Sequence, residues 1–260
     1  NVPVFCLKLT RGLVQVKLKE HRIEADITVV EPGDAIEVGP FTVEFFPVSH
    51  SIPDSAGLII ETPAGTVVHT GDFKIDHTPI GGQHTDLGRL AAVGEEGVLL
   101  LCADSTYAEI EGYTPSEQVV AETLDRIIGD AEGRVIVTTF ASLISRVQMV
   151  VDAAEKHGRR VFVTGRSMVN NVNMARDLGY LRVPGNMLMT PNQMRDHPDA
   201  KTVIVCTGSQ GEPTSALTRM ATGSHQQIVI SPGDTVILSS SPVPGNEKAV
   251  YKNIDMLYEA

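Results

Sequence analysis

Two short stretches bring together residue types that bind metal. They are Pro47-Val48-Ser49-His50-Ser51-Ile52-Pro53-Asp54 and His69-Thr70-Gly71-Asp72-Phe73-Lys74, with Asp72 lying 22 residues after His50. Each ends a run of β-type residues, 41–46 before His50 and 66–68 before Asp72. A neutral imidazole and a carboxylate at two strand ends suit a borderline cation such as zinc, and a carboxylate can bridge two ions. Two donors do not complete a site. A third apolar run, 98–103, reads as a buried strand and ends in Asp104-Ser105-Thr106. Asp104 there serves either chemistry or the turn that its hydroxyl neighbours suggest.

The elements that must position these residues have two textures. Through residue 110 the pattern is a helix over 8–22, then short strands separated by Glu31-Pro32-Gly33-Asp34, Gly39-Pro40 and Thr62-Pro63-Ala64-Gly65. Such spacing predicts an antiparallel or mixed sheet. From Thr114 the period changes. Thr114-Pro115-Ser116-Glu117 has the form of a capping box with proline at the first helical position, predicting a helix to about residue 128. Strands at 134–138, 160–163, 202–206 and 235–238 then alternate with helices that include 143–157, 168–178 and 247–258. That alternation predicts a doubly wound parallel sheet, with the domain boundary at 112–116.

Each strand of the second half runs into a loop of small residues. These are Thr139-Phe140-Ala141-Ser142, Gly165-Arg166-Ser167, Thr207-Gly208-Ser209-Gln210-Gly211 and Ser239-Ser240-Ser241-Pro242. In a parallel sheet such loops gather at the carboxyl edge, where helix N-termini, serine hydroxyls and Arg166 offer donors for phosphate. Taken singly, each is as well explained by tight turns and N-caps. Together they favour an anion site. No Walker or dinucleotide fingerprint is present, so a nucleotide cofactor is not supported.

Composition sets outer bounds. A chain of 260 residues, 42% hydrophobic, can bury one sizeable core or two smaller ones. No apolar run approaches the ~20 residues of a membrane span. The start has neither the pattern of a secretory leader nor a methionine, and reads as a cut from a longer polypeptide. Cys6, Cys102 and Cys206 are odd in number and far apart among apolar residues, as expected of buried free thiols in a reducing cytosol. A net charge of −11 argues against a surface that grips nucleic acid all round. From Glu95 to Glu132 ten acidic residues face Arg126 alone, whereas from Lys156 to Arg182 six basic residues face Asp177 alone. Either run reads first as a solvated face, and charge alone does not decide the partner. His21, His157, His197 and His225 read as solvated and His69 as packed within its strand, while His77 and His84 stay open.

Ser49-His50-Ser51-Ile52-Pro53-Asp54, His69-Thr70-Gly71-Asp72-Phe73-Lys74, Asp104-Ser105-Thr106, Gly165-Arg166-Ser167-Met168, Cys206-Thr207-Gly208-Ser209-Gln210-Gly211-Glu212-Pro213 and Pro244-Gly245-Asn246-Glu247 resemble the ribonuclease J family, in order along the chain. That family belongs to the β-CASP branch of the metallo-β-lactamase fold. The resemblance implies an α/β architecture in which residues 1–113 are part of a metallo-β-lactamase αββα sandwich and residues 114–260 are a β-CASP domain lacking its last elements. It implies a cytoplasmic, homo-oligomeric ribonuclease, 5′–3′ exonucleolytic and endonucleolytic, acting on single-stranded RNA from a 5′-monophosphate end. In it His50 would ligate one of two zinc ions, Asp72 would bridge both, and Asp104 would complete the catalytic set. Phe140, Ala141, Ser142, Arg166, Ser167 and Ser209 would contact RNA. The family's His-x-His-x-Asp-His motif is absent from these 260 residues, so an interior fragment, inactive alone, is expected. Two other classes remain open: another metallo-hydrolase of this fold, and a non-catalytic RNA-binding or assembly subunit.

Overall fold

The computed structural model describes residues 2–81 and 83–260, and the chain divides into two compact units, Asn1–Val119 and Val120–Ala260. In the first unit a short strand β1 (Val4–Cys6) pairs in parallel with β2 (Ile27–Val29) across helix α1 (Lys8–His21). Leu7 gives α1 no side-chain cap; Asp54 does so from a distance, its Oδ2 accepting the Leu9 N–H at 3.0 Å. There follow β3 (Ala35–Val38), β4 (Phe41–Val48), β5 (Ser55–Thr62), β6 (Gly65–His69), helix α2 (Leu87–Glu96) and β7 (Leu100–Cys102). The five strands lie in the order β3-β4-β5-β6-β7, antiparallel until β7 joins β6 in parallel.

Successive residues of a strand face opposite sides, and β4 uses both. Phe45 packs with Leu7 and Val30 on one face of the sheet. Phe46 and Val48 pack on the other with Ile59, Val68 and Val93 of α2. The Phe46 ring lies across Gly57, its partner in register on β5, where a Cβ would meet the ring edge at 2.6 Å. Glycine is required there by space alone.

The run 98–103 forms β7 but is not buried. Leu99, Leu100 and Leu101 are 63%, 53% and 59% exposed, because β7 is the outermost strand and nothing among the described residues packs on it. An apolar run signals a strand without signalling what covers it. Cys102 is exposed for the same reason and Cys6 is half-buried, leaving Cys206 as the buried thiol. His69, expected to be packed, is exposed at the end of β6, its Nδ1 accepting the Gly71 N–H.

The division between units falls within α3 (Glu117–Asp130), which starts three residues beyond Thr114. The first helical amides are taken by other groups: Asp76 Oδ2 accepts the Glu117 N–H and Ser116 Oγ the Gln118 N–H. Beyond it come β8 (Val135–Thr138), α4 (Ile144–Lys156), β9 (Arg160–Val163), α5 (Arg166–Leu178), α6 (Pro191–Arg195), β10 (Thr202–Cys206), α7 (Ala216–Ala221), β11 (Thr235–Leu238) and α8 (Glu247–Glu259). The strands form a wholly parallel sheet in the order β11-β8-β10-β9. Both faces of its centre are covered: Val135, Val137, Val203 and Val205 are fully buried, as are Ile136, Ile204 and Cys206 against Leu217 and Met220. Arg134 grips Asp234 through Nε and Nη2 at 3.0 and 2.6 Å, tying the starts of β8 and β11. No helix among the described residues is long and apolar enough to cross a membrane.

Burial pushes the Cys206 thiol up to about 12, with the nearby Thr138 hydroxyl a weaker opposing influence. The thiolate is the nucleophile, so at pH 8 an alkylating reagent should modify Cys102 in the folded protein and reach Cys206 only after denaturation. Mass mapping checks both sites. Slow labelling of Cys102 would mean that β7 is covered.

Candidate functional site

β4, β6 and β7 run in one direction, so the segments that follow them leave the sheet at one edge. His50, Asp72 and Asp104 all lie in those segments. A single bridge pairs Ser49 with Lys74, the Lys74 N–H donating to the Ser49 carbonyl at 2.8 Å. Thr85 Oγ1 closes the arrangement: it accepts the Ser49 N–H at 2.9 Å and donates to the Lys74 carbonyl at 2.9 Å. Asp104 is tied in from the third strand, its N–H donating to Thr70 Oγ1 at 3.0 Å. The Thr106 hydroxyl and N–H both donate to Asp104 Oδ1, at 2.6 and 2.9 Å. These bonds hold the Asp104 carboxyl below its ordinary pKa against burial, and the Phe73 N–H and nearby His50 add to the effect. Asp104 thus caps its turn and neighbours His50 at once. His50 is half-buried and Asp72 exposed.

Beneath these residues lies a cluster of buried charge that the sequence reading passed over. Lys74 Nζ reaches Glu117 Oε1 at 3.1 Å, Pro115 O at 3.3 Å and Asp76 Oδ2 at 3.4 Å. Ser51 Oγ donates to the same Glu117 oxygen at 3.2 Å. The side chains of Lys74, Asp76 and Glu117 are only 10%, 1% and 12% exposed, so water screens them little. Burial raises the Asp76 pKa, yet the N–H groups of Thr78 and Glu117, the Ser116 hydroxyl and Lys74 outweigh it and lower the value to about 2. The signal available in sequence was the alternation Asp72, Lys74, Asp76 just past a strand.

Zinc sites take about four protein or water ligands. Among the described residues no group of three or more His, Cys, Asp or Glu is placed to hold a metal ion. His50 and Asp72 by themselves do not fit a closed zinc centre.

In the second unit the loops at the carboxyl edge are stitched to one another. Ser209 and Gln210 are 2% and 5% exposed. The Gln210 amide donates to Ser240 Oγ at 3.2 Å and to the Ser241 carbonyl at 3.0 Å, and accepts the Val243 N–H at 2.7 Å. Arg146, also missed by sequence, is buried and donates through Nη1 to the carbonyl and Oγ of Ser239, at 3.0 and 2.7 Å. Thr139 Oγ1 donates to the same carbonyl at 3.3 Å. Asn171 holds the Ala141 carbonyl at 2.9 Å; Phe140 and Ala141 are half-buried and Ser142 exposed. Arg166 begins α5 and is exposed, with Ser167 half-buried beside it.

The basic run of 156–182 is mostly spent locally. Lys156 pairs with Asp125 at 2.6 Å, and Arg182 with Asp152 and Glu155 at 3.1 Å each. Arg159 is buried, donating to the carbonyls of Ala131 and Gly133, and Arg160 holds the Asn186 carbonyl. His157, expected to be solvated, meets Asp125 Oδ1 at 2.9 Å beneath Gly129.

Comparison with known proteins adds a family. Residues 132–257 match the ribonuclease J β-CASP domain. Ribonuclease J of Thermus thermophilus is 52% identical over 99% of this chain and 45% of its own length. Ribonuclease J of Synechocystis is 48% identical over 96% of this chain and 40% of its own, and ribonuclease J 1 of Streptococcus pyogenes 44% over 100% and 47%. The chain therefore spans less than half the length of these relatives. A crystal structure of a protein of unknown function from Enterococcus faecalis shares the fold: its TM-score is 0.61 at 15% identity, over 98% of this chain and 68% of that one.

Two outcomes follow from these contacts. The folded pKa of Asp76, about 2, lies below the ordinary 3.8, so its contribution is present above pH 3.8 and lost as pH falls toward 2. On the order of 2 kcal/mol should disappear across that window in urea titrations, and Asp76→Asn should flatten it. Separately, Gly211 has φ 74° and abuts Ala249, whose Cβ an added Cβ would meet at 2.8 Å. Gly211→Ala should cost about 2–4 kcal/mol by thermal denaturation.

Proposed function

The chain belongs to the ribonuclease J family, and on that premise we propose that it carries part of the catalytic centre and part of the RNA path of a zinc-dependent ribonuclease. The observation that carries this reading is the convergence of His50, Asp72 and Asp104 beyond three like-directed strands. The substrate is single-stranded RNA, entered from a 5′-monophosphate and degraded 5′ to 3′, with internal cuts as a second activity. The enzyme works in the cytoplasm as a homo-oligomer.

Zinc belongs to this proposal as two ions that, when bound, would lower the pKa of a bound water. His50 and Asp72 would be this chain's donors to it. Asp104, fixed by Thr70 and Thr106, keeps an anionic carboxylate near His50. The Ser49–Lys74 bridge keeps the two donor segments in register. In the second unit, Ser142 is open to a strand of RNA, whereas Ser209 supports the loop from within.

The test is zinc-dependent cleavage of 5′-monophosphorylated and 5′-triphosphorylated single-stranded RNA, by the full-length protein and by these 260 residues side by side. Full-length protein should degrade the monophosphorylated RNA faster, and His50→Ala or Asp72→Asn should reduce the rate by at least about 100-fold. The 260-residue chain alone should be inactive. Undiminished cleavage by either variant, or robust zinc-dependent cleavage by the short chain, would overturn the assignment of donors. A second reading, a non-catalytic RNA-binding subunit, is favoured by the want of a three-donor cluster among the described residues. Metal analysis separates the two: about two zinc ions per full-length chain for the nuclease, none for the subunit.

A further inference from the structure

The carboxyl edge of the second unit has a neighbour that sequence reading did not separate from it. Beside the edge strand β9 lies a cleft of about 480 Å³. One wall is a stripe of α5 at helical spacing, Arg166, Val169, Asn170 and Asn173, all of which line the cleft. The facing wall is Leu188, Met189 and Pro191.

Both walls are held in place. Met189 donates its N–H to the Val161 carbonyl at 2.8 Å, Val161 donates to Met187 at 2.9 Å, and Leu188 bridges to Val161. Thr190 and Gln193 form a reciprocal capping box that fixes Pro191. Gln227, which also lines the cleft, is set by a histidine: the N–H groups of Gln227 and Ile228 both donate to His225 Nδ1, at 3.2 Å each. That leaves Nε2, 3.2 Å from Thr164 Oγ1, to carry the ring proton. Burial, with Arg219 adding to it, lowers the His225 pKa and keeps the ring in that neutral form.

The lining selects a chemistry. It holds Arg166 and not one acidic residue, in a chain of net charge −11. Arg166 has no hydrogen-bond or ion-pair partner among the described residues, and a guanidinium so placed takes phosphate. α5 opens at Gly165 with no side-chain cap, so its first N–H groups add positive potential at that end. Three carboxamides, Asn170, Asn173 and Gln227, each carry a donor and an acceptor. A nucleobase edge offers the same mixture, and its faces suit the aliphatic walls. The volume is within the range of small-ligand pockets.

We propose that this cleft seats one nucleotide of single-stranded RNA. Its base lies between the α5 stripe and the Leu188–Pro191 wall, with its polar edge toward the amides and its phosphate on Arg166. The choice of a ribonucleotide over other anionic heterocycles rests on the ribonuclease reading above, but the seat itself rests on the cleft. All of its lining belongs to the second unit, whereas His50, Asp72 and Asp104 belong to the first.

The test uses the 260-residue chain and a short oligoribonucleotide with a single 4-thiouridine. Photo-crosslinks should map to 166–173 or 187–191. Arg166→Met should weaken binding about 10-fold and reduce the log–log salt slope by about 0.7. Asn173→Leu, at an exposed helix position, should weaken it about 10-fold without altering the salt slope. Circular dichroism should show both variants folded. Uridine 5′-monophosphate should compete with the oligonucleotide, and inorganic phosphate far more weakly. Equal competition by phosphate would overturn the base seat. Crosslinks elsewhere with unaltered variants would overturn the cleft while leaving the cleavage test of the ribonuclease reading untouched. A chain that bound no RNA at all would overturn the proposal as well.

Discussion

The pairing of Ser49 with Lys74 is the contact that joins the two segments carrying His50 and Asp72. It converts two separate strand ends into one shelf, because a backbone bond at 2.8 Å fixes the register of the segments that carry His50 and Asp72. A lone bridge outside a sheet is weak. Here it is reinforced from the side-chain level, since the same Lys74 sends its ammonium into a site shared by Asp76 and Glu117. A buried pair of this kind gains little over an apolar replacement, yet losing one partner strands the other and costs about 3–5 kcal/mol. The cluster therefore contributes specificity more than stability. It permits one placement of the 72–78 segment and makes the alternatives expensive.

The second unit solves a similar problem with neutral groups. Loops after parallel strands have no ladder to hold them, so their backbone polar groups need other partners. Gln210 supplies four hydrogen-bonding positions from one planar amide, and three of its bonds to residues 240–243 are 3.2 Å or shorter. The glycines around it are explained by the same crowding. Gly208 has φ 119° and would set a Cβ 2.5 Å from Ser215 Oγ, while Gly211 abuts α8. The small residues that read as a phosphate cradle are, at Ser209 and Gly211, the inner surface of a clasp. The outer surface is left to Ser142 and to the start of α5.

The strands and helices of the second unit were legible because each is a local pattern: 160–163, 202–206 and 235–238 appear with the bounds expected. The misreadings share one physical cause. The exposure of β7, the pairing of His157 with Asp125 and the start of α3 at Glu117 are all set by residues far away in sequence. A hydrophobic run cannot report that its covering layer is absent among the described residues, nor can Thr114 report that Asp76 will take the first helical amide. The site shows the same split. His50, Asp72 and Asp104 were visible as residue types at strand ends, whereas Lys74, Asp76, Gln210 and Arg146 act through partners up to 93 positions away. Periodicity carries no record of such pairs.

Charge distribution shows how an acidic chain can still offer an anion a place. Of the six basic residues from Lys156 to Arg182, Lys156 and Arg182 are neutralised by carboxylates, while Arg159 and Arg160 are turned onto backbone carbonyls. Arg166 and Arg176 remain without such partners among the described residues, and of these Arg166 lines the cleft beside β9. A broad basic face would raise affinity for any polyanion at long range. A single cation in a groove free of acids acts only on a ligand already seated, because the surrounding negative charge, screened within about 8–10 Å, opposes general attraction beyond that distance. Such an arrangement favours a strand that is threaded and positioned over one that is merely captured.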